Sequence, residues 1–299
     1  MTRRSVLTAL AVALLSVMVL SGLVLAVLFA ARGGTGFGLG GRIAVLTIDG
    51  IITDDTKLLK QIRDFREDAS VRGYVVAINS PGGGVGPSQS IYRELQRLRE
   101  DGRPVIASIG GVGASGGYYV ALGADSIFAN PGSLTGSIGV IMEFPDASRL
   151  LDKVGVRMQV VKSAEHKDIG SPFRPITPGD SAILTALVQD VYQQFVEVVA
   201  TERHLDRAAV QAIADGRILS GQQALNSRLI DRLGNFEDAL SAAGRMAGLG
   251  DEPRMTRPPE DEFTLWDLLL GRGVEGALRQ LAKPLDKAGV PDVKLMIPW

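Results

Sequence analysis

Cysteine is absent from all 299 residues, and histidine occurs only at His166 and His204. Without cysteine there are no disulfides and no thiolate metal sites. Two histidines are too few for a histidine-based metal centre, and they leave just two partners for a Ser-His catalyst. A charge excess is missing as well, with 32 basic against 33 acidic residues. A nucleic-acid surface needs clustered basic charge, so no nucleic-acid partner is expected. No Gly-Lys-Ser/Thr phosphate loop occurs, which disfavours a nucleotide. The expectation is a chain that works with neither metal nor cofactor.

Charge is also missing from residues 5–31. As a helix that run would extend about 40 Å, enough for a bilayer core with some tilt. Arg3 and Arg4 would suit a secretory leader, but the run exceeds a typical leader core and Leu28-Phe29-Ala30-Ala31 is a poor cleavage site. The reading is a retained transmembrane anchor, residues 1–32, with its N-terminus in the cytoplasm and the rest of the chain outside. Residues 33–41 form a glycine linker.

From Arg42 the pattern alternates. Apolar runs at 43–48, 74–78 and 104–109 read as buried strands, separated by helices carrying Leu58, Leu59, Ile62 and Phe65, then Ile91, Leu95 and Leu98. Segments 126–129, 137–142 and 156–161 read as extended, and a helix is expected at 146–154. Such alternation predicts an α/β fold with mainly parallel pairing. A long amphipathic helix at 179–203 and shorter ones at 206–214, 220–227 and 235–247 give a helical C-terminal part. Residues 250–261 read as a linker, and one apolar helix is expected near 263–270.

Glycine is abundant where chemistry could sit. Gly110-Gly111-Val112-Gly113-Ala114-Ser115-Gly116-Gly117 follows the strand at 104–109 and precedes an apolar run that can continue as a helix. A hydroxyl at a helix N-terminus lies where backbone N–H groups favour developing negative charge, as a nucleophile requires. The same residues also suit a turn in which Ser115 merely caps the helix. A second cluster, Pro81-Gly82-Gly83-Gly84, follows the strand at 74–78, and its N–H groups could hold an oxyanion. Gly113-Ala114-Ser115-Gly116-Gly117 matches a Gly-x-Ser-x-Gly elbow, whose base would be His204; a surface histidine near a helix end is the better reading of that residue. Lysine is the remaining base, and Lys162 and Lys167 both qualify by position, each needing a lowered pKa to act.

Four motifs occur in order: Asn79-Ser80-Pro81-Gly82-Gly83, Gly113-Ala114-Ser115-Gly116-Gly117-Tyr118-Tyr119, Ala129-Asn130-Pro131-Gly132-Ser133-Leu134-Thr135-Gly136-Ser137-Ile138-Gly139-Val140 and His166-Lys167-Asp168. Together they resemble the short form of the signal peptide peptidase A family, membrane-anchored bacterial Ser-Lys peptidases of family S49. The similarity spans about residues 42–248, the expected peptidase domain, followed by a linker and tail at 249–299. It implies a Clp-protease/crotonase fold with repeated ββα units. It further implies Ser115 as nucleophile, Lys167 as general base, Ser137 orienting the lysine, and the N–H groups of Gly83 and Gly116 as the oxyanion hole. Serine and lysine of one site would come from neighbouring subunits of a homo-oligomer. The implied substrates are signal-peptide remnants and other unfolded apolar peptides. Arg228 stands where the family usually has glycine. Two rival readings are a crotonase-like acyl-CoA enzyme and a non-catalytic membrane scaffold.

Overall fold

The computed structural model describes residues 14–22 and 40–259. The chain forms two units, 1–41 and 42–299. In the first, residues 14–22 are an exposed helix, α1. Most of the expected span at 5–31 lies outside the described residues. Among those described, no helix is long and apolar enough to cross a membrane.

The second unit is built on an eight-stranded, mainly parallel sheet. Its central strands are β1 (Arg42–Asp49), β2 (Val71–Ser80) and β3 (Val105–Ala114), ordered β3-β2-β1. Side chains alternate across each strand, so successive residues face opposite layers. From β1, Ala44, Leu46 and Ile48 enter a large core with helices α2 (Thr56–Glu67), α3 (Val85–Glu100) and α4 (Gly116–Ala121). On the other face Ile43, Val75 and Ile106 pack on Ala239 and Ala243 of α9 (Phe236–Met246). Both faces are thus covered, which is why these strands read as nearly continuous apolar runs.

Strand β3 changes partner along its length. Ile106–Ile109 pair with β4 (Ser126–Ala129), whereas Val112–Ala114 pair with β5 (Leu134–Gly136). The glycine run expected as a turn is therefore strand up to Ala114. Buried hydroxyls hold it there: Thr135 Oγ1 donates to the Gly113 carbonyl at 2.7 Å, and Ser133 Oγ donates to the Gly110 carbonyl. Beyond β5 lies β6 (Ile218–Ser220), antiparallel to it, and β4 also pairs with β7 (Arg232–Leu233).

Three expectations are corrected. Residues 137–142 and 156–161 are not strands. Val156, Met158, Val160 and Val161 are exposed, so a β-rich sequence has no ladder to join within this chain. The expected linker at 250–261 contains β8 (Met255–Thr256), a parallel edge strand on β1. The helix expected near 263–270 lies outside the described residues.

The helices follow the sequence closely. After α5 (Ser148–Val154), α6 (Pro178–Arg203) starts at a capping box, in which Thr177 accepts from the Asp180 N–H and the Asp180 carboxylate accepts from the Thr177 N–H. Helices α7 (Arg207–Gln211) and α8 (Gly221–Asn226) complete the C-terminal part.

Candidate active site

Ser115 stands where β3 gives way to α4, with φ 51° and ψ −120°. That is a sparsely populated conformation for a residue with a side chain, with a strain of roughly 1–3 kcal/mol that the surroundings must offset. They do so on both sides: the Ser115 N–H donates to the Gly136 carbonyl at 2.9 Å, and the Ser115 carbonyl accepts from Tyr119 N–H at 2.8 Å. The side chain makes no capping hydrogen bond. The simple helix-cap reading is therefore excluded, and the hydroxyl is left for other use.

The glycine turn after β2 comes directly against this residue. A Cβ on Gly82 would lie 2.7 Å from Gly116 N and 2.9 Å from Ser115 Cβ. A Cβ on Gly116 would lie 3.2 Å from Gly83 N and 2.6 Å from Ser88 Oγ. Only glycines let the two backbones approach this closely, and the result sets the amides of Gly83 and Gly116 beside the serine. Ser80, fully buried, steadies the turn by accepting from Gly82 N–H at 3.1 Å. Gly83 itself has φ 156°.

Gly83, Ser115 and Gly116 line a cavity of about 90 Å³. Val85, Ser88 and Gln89 of α3 form one wall, and Val140 and Ile141 another. Tyr119 of α4 and Val191 and Phe195 of α6 close it, with the Tyr119 and Phe195 rings edge-to-face at 5.0 Å. A small apolar recess beside a hydroxyl and two amides is suited to hold an acyl or peptide side chain next to a carbonyl under attack. The sequence reading missed these walls. Val191 and Phe195 fall within the amphipathic helix expected at 179–203, a pattern that reads equally well as ordinary core.

Ser137, also at positive φ (50°), follows the Gly136 whose carbonyl receives the Ser115 N–H, and its own N–H donates to Arg217 O at 2.8 Å. It is half-buried and close to Ser115 in the fold, but it does not line the cavity. Neither does Lys167, which sits exposed on a turn of the segment between α5 and α6.

That segment is fastened by a charge network. Lys162 Nζ donates to Asp168 at 2.8 Å and to the Glu165 carbonyl at 2.6 Å. Arg174 bridges Asp168, at 2.8 Å, and the buried Asp180, at 2.6 Å, while His166 Nδ1 lies 2.9 Å from Asp180. Arg174 holds both carboxyls well below their usual range, with Lys162 adding at Asp168 and His166 at Asp180. Lys162 is therefore a structural cation. Among the described residues Lys167 Nζ has no hydrogen-bond or ion-pair partner. The structure does not bring His204 to Ser115: it is the exposed left-handed C-cap of α6, at φ 51°. No cluster of metal-ligating side chains occurs among the described residues.

Comparison with known proteins adds a family. The profile of Peptidase family S49 matches residues 97–250, which include Ser115, Ser137 and Lys167. The chain is 46% identical to the putative protease slr0021 of Synechocystis sp., over 70% of this chain and 75% of that one. It is 35% identical to a putative signal peptide peptidase SppA of Enterococcus faecium, over 70% and 65% respectively. With Protease 4 of Salmonella typhi it shares 32% identity over 84% of this chain, which spans only 42% of that protein.

Proposed function

Because this chain belongs to peptidase family S49, we propose that it is a serine endopeptidase whose nucleophile is Ser115 and whose general base is Lys167. The observation that carries the reading is the Ser115 hydroxyl, uncapped and held at strained backbone angles beside the Gly83 and Gly116 amides.

In this mechanism neutral Lys167 Nζ takes the Ser115 proton as Oγ bonds to the peptide carbonyl carbon. The carbonyl oxygen becomes an oxyanion that accepts from the N–H groups of Gly83 and Gly116. Collapse breaks the C–N bond, Lys167 returns its proton to the leaving amine, and an acyl ester remains on Ser115. Water, deprotonated by Lys167, then attacks the ester; collapse breaks the bond from the acyl carbon to Ser115 Oγ, Lys167 returns the proton to Oγ, and the acid is released. Ser137 orients the lysine amine.

Lys167 comes from a neighbouring copy. Support lies in its absence from its own chain's cavity, and in the exposed apolar side chains of the same region, Ile141, Val156, Met158, Val160, Val161 and Phe173. Exposed apolar side chains in such number along one segment mark an interaction surface, and a homo-oligomer would cover them. Residues 5–31 anchor the chain in the bacterial cytoplasmic membrane, with the catalytic domain outside. Unfolded apolar peptides, signal-peptide remnants among them, fit the apolar walls formed by Val85, Val140 and Phe195. Cleavage of a synthetic signal peptide by the full chain tests the reading. Ser115→Ala and Lys167→Ala should each lower turnover by more than about 100-fold, and near-normal turnover in either variant would remove that residue from its role.

A further inference from the structure

A second cavity, about 470 Å³, is separate from the Ser115 recess. Ile48, Ile51, Ile52, Leu58 and Ile91 form its apolar lining, and Asp49, Asp54, Lys57 and Arg257 bring charges of both signs to it. Its size is that of a ligand pocket. Ile51 is 41% exposed, unusual for an isoleucine between a core strand and a core helix.

Two features say what fills it. Strand β8 runs parallel to β1, pairing Met255 with Ile43 and Thr256 with Ala44. The chain is thereby sent along β1 towards its C-terminal end, and Pro258 and Pro259 are themselves part of the cavity wall. The residues that follow include Phe263, Leu265, Trp266 and Leu268–Leu270. Phe263 is four residues past Pro259, a reach of up to about 14 Å. A segment tethered this closely is present at roughly millimolar effective concentration, which favours it over any free partner.

We propose that this groove is the docking site of the chain's own segment Phe263–Leu270, and that docking steadies the turn that carries Gly83. The second half rests on the reading of Gly83 as an oxyanion donor. Ile52 is the link. Its N–H donates to the Gly82 carbonyl at 2.9 Å and its carbonyl accepts from Gly84 N–H at 2.7 Å. A Cβ on Gly83 would lie 2.6 Å from Ile52 N, so the two backbones are in direct contact. One face of the Ile51-Ile52 stretch lines the groove and the other grips the turn. An occupant that packs on Ile51 and Ile52 restricts their motion, and with it the position of the Gly83 amide.

Tryptophan fluorescence gives a direct test, because the only tryptophans are Trp266 and Trp299. In a full-length Trp299→Phe chain the emission reports Trp266 alone. Docking predicts a blue-shifted Trp266 that acrylamide quenches poorly. Ile51→Asp, and independently Leu58→Asn, should lower groove occupancy by about tenfold, shifting the emission red and raising quenching, while circular dichroism stays that of the parent. Turnover of a signal peptide should fall several-fold in kcat with little change in KM.

Trp266 quenching that ignores both groove variants overturns the docking, and so does protection that disappears on dilution or in a different detergent, which assigns Trp266 to a second copy or to the bilayer. If both variants free Trp266 and kcat does not move, the link to Gly83 is overturned and the docking stands. A parent chain without peptidase activity defeats the proposed function instead, and the fluorescence still decides the docking.

Discussion

The Ser115 N–H donates to the carbonyl of Gly136 at 2.9 Å, and Ser137 is the next residue along. One hydrogen bond thus ties the end of β3 to the end of β5, and both serines leave it at positive φ, 51° and 50°. If Ser137 orients the base, Ser137→Ala should lower kcat by about tenfold or more while the denaturant midpoint stays that of the parent. A fall in rate that tracks a lowered midpoint would make Ser137 a purely structural residue.

If sites are shared between copies, as proposed, inactive variants should complement each other. Ser115→Ala and Lys167→Ala chains, each inactive alone, should regain a substantial fraction of turnover when dissociated, mixed and reassembled, since some sites then combine an intact serine with an intact lysine. Recovery measured against the unmixed variants checks this; none at any mixing ratio would place both residues of a site in one chain.

Gly83 leaves no room for a side chain. Gly83→Ala puts a Cβ against the Ile52 backbone, which cannot step aside as a flexible side chain could, and the variant should lose about 2 kcal/mol or more of stability. Denaturant midpoints at constant slope measure it. Activity should fall further than stability accounts for, because the amide moves with the backbone.

Arg228 occupies a left-handed position, φ 59°, just beyond α8, and is exposed. Its contribution there is the backbone carbonyl, which accepts from Arg203 Nε at 2.9 Å and survives substitution. Arg228→Gly should therefore stabilise the fold by about 1 kcal/mol, seen as a rise in Tm with unchanged kcat.

The clasp beside Lys167 is acid-sensitive in a defined direction. Arg174 holds Asp168 and Asp180 below the ordinary value of 3.8. A depressed folded pKa means stability that is fully present above 3.8 and is lost as the pH falls further, when folding must proceed with protonated carboxyls. Melting curves should fall steeply below about pH 4, and Arg174→Ala should flatten that fall. The same variant should lower turnover at neutral pH by loosening the segment that bears Lys167.

Much of this was legible in the sequence. Strands β1 to β3 and the long helix α6 show in apolar periodicity, and Ser115 stands out among its glycines. What was hidden depends on partners far along the chain. Strand β3 continues through Gly110–Gly113 because Ser133 and Thr135 hold its carbonyls, and no local propensity announces that. Val156–Val161 has the composition of a strand but no ladder within one chain. Lys162 and Lys167 were equivalent by position until Asp168 was seen to take the first and leave the second. Part of the recess wall comes from α6, whose Phe195 is distant in sequence from Ser115 and packs edge-to-face on Tyr119.

Helix α6 has a mechanical consequence. Its 26 residues make a rod of about 39 Å. At one end Asp180 grips the lysine segment; partway along, Val191 and Phe195 face the recess; near the far end Glu202 is fixed to Arg99 at 3.0 Å and Arg203 to Asp231 at 2.7 Å. A rod clamped at its far end transmits force applied at the near one. In the proposed assembly, a copy pressing on the segment around Lys167 would therefore also bear on the wall of the chamber beside Ser115, making assembly and the width of that chamber one adjustable quantity.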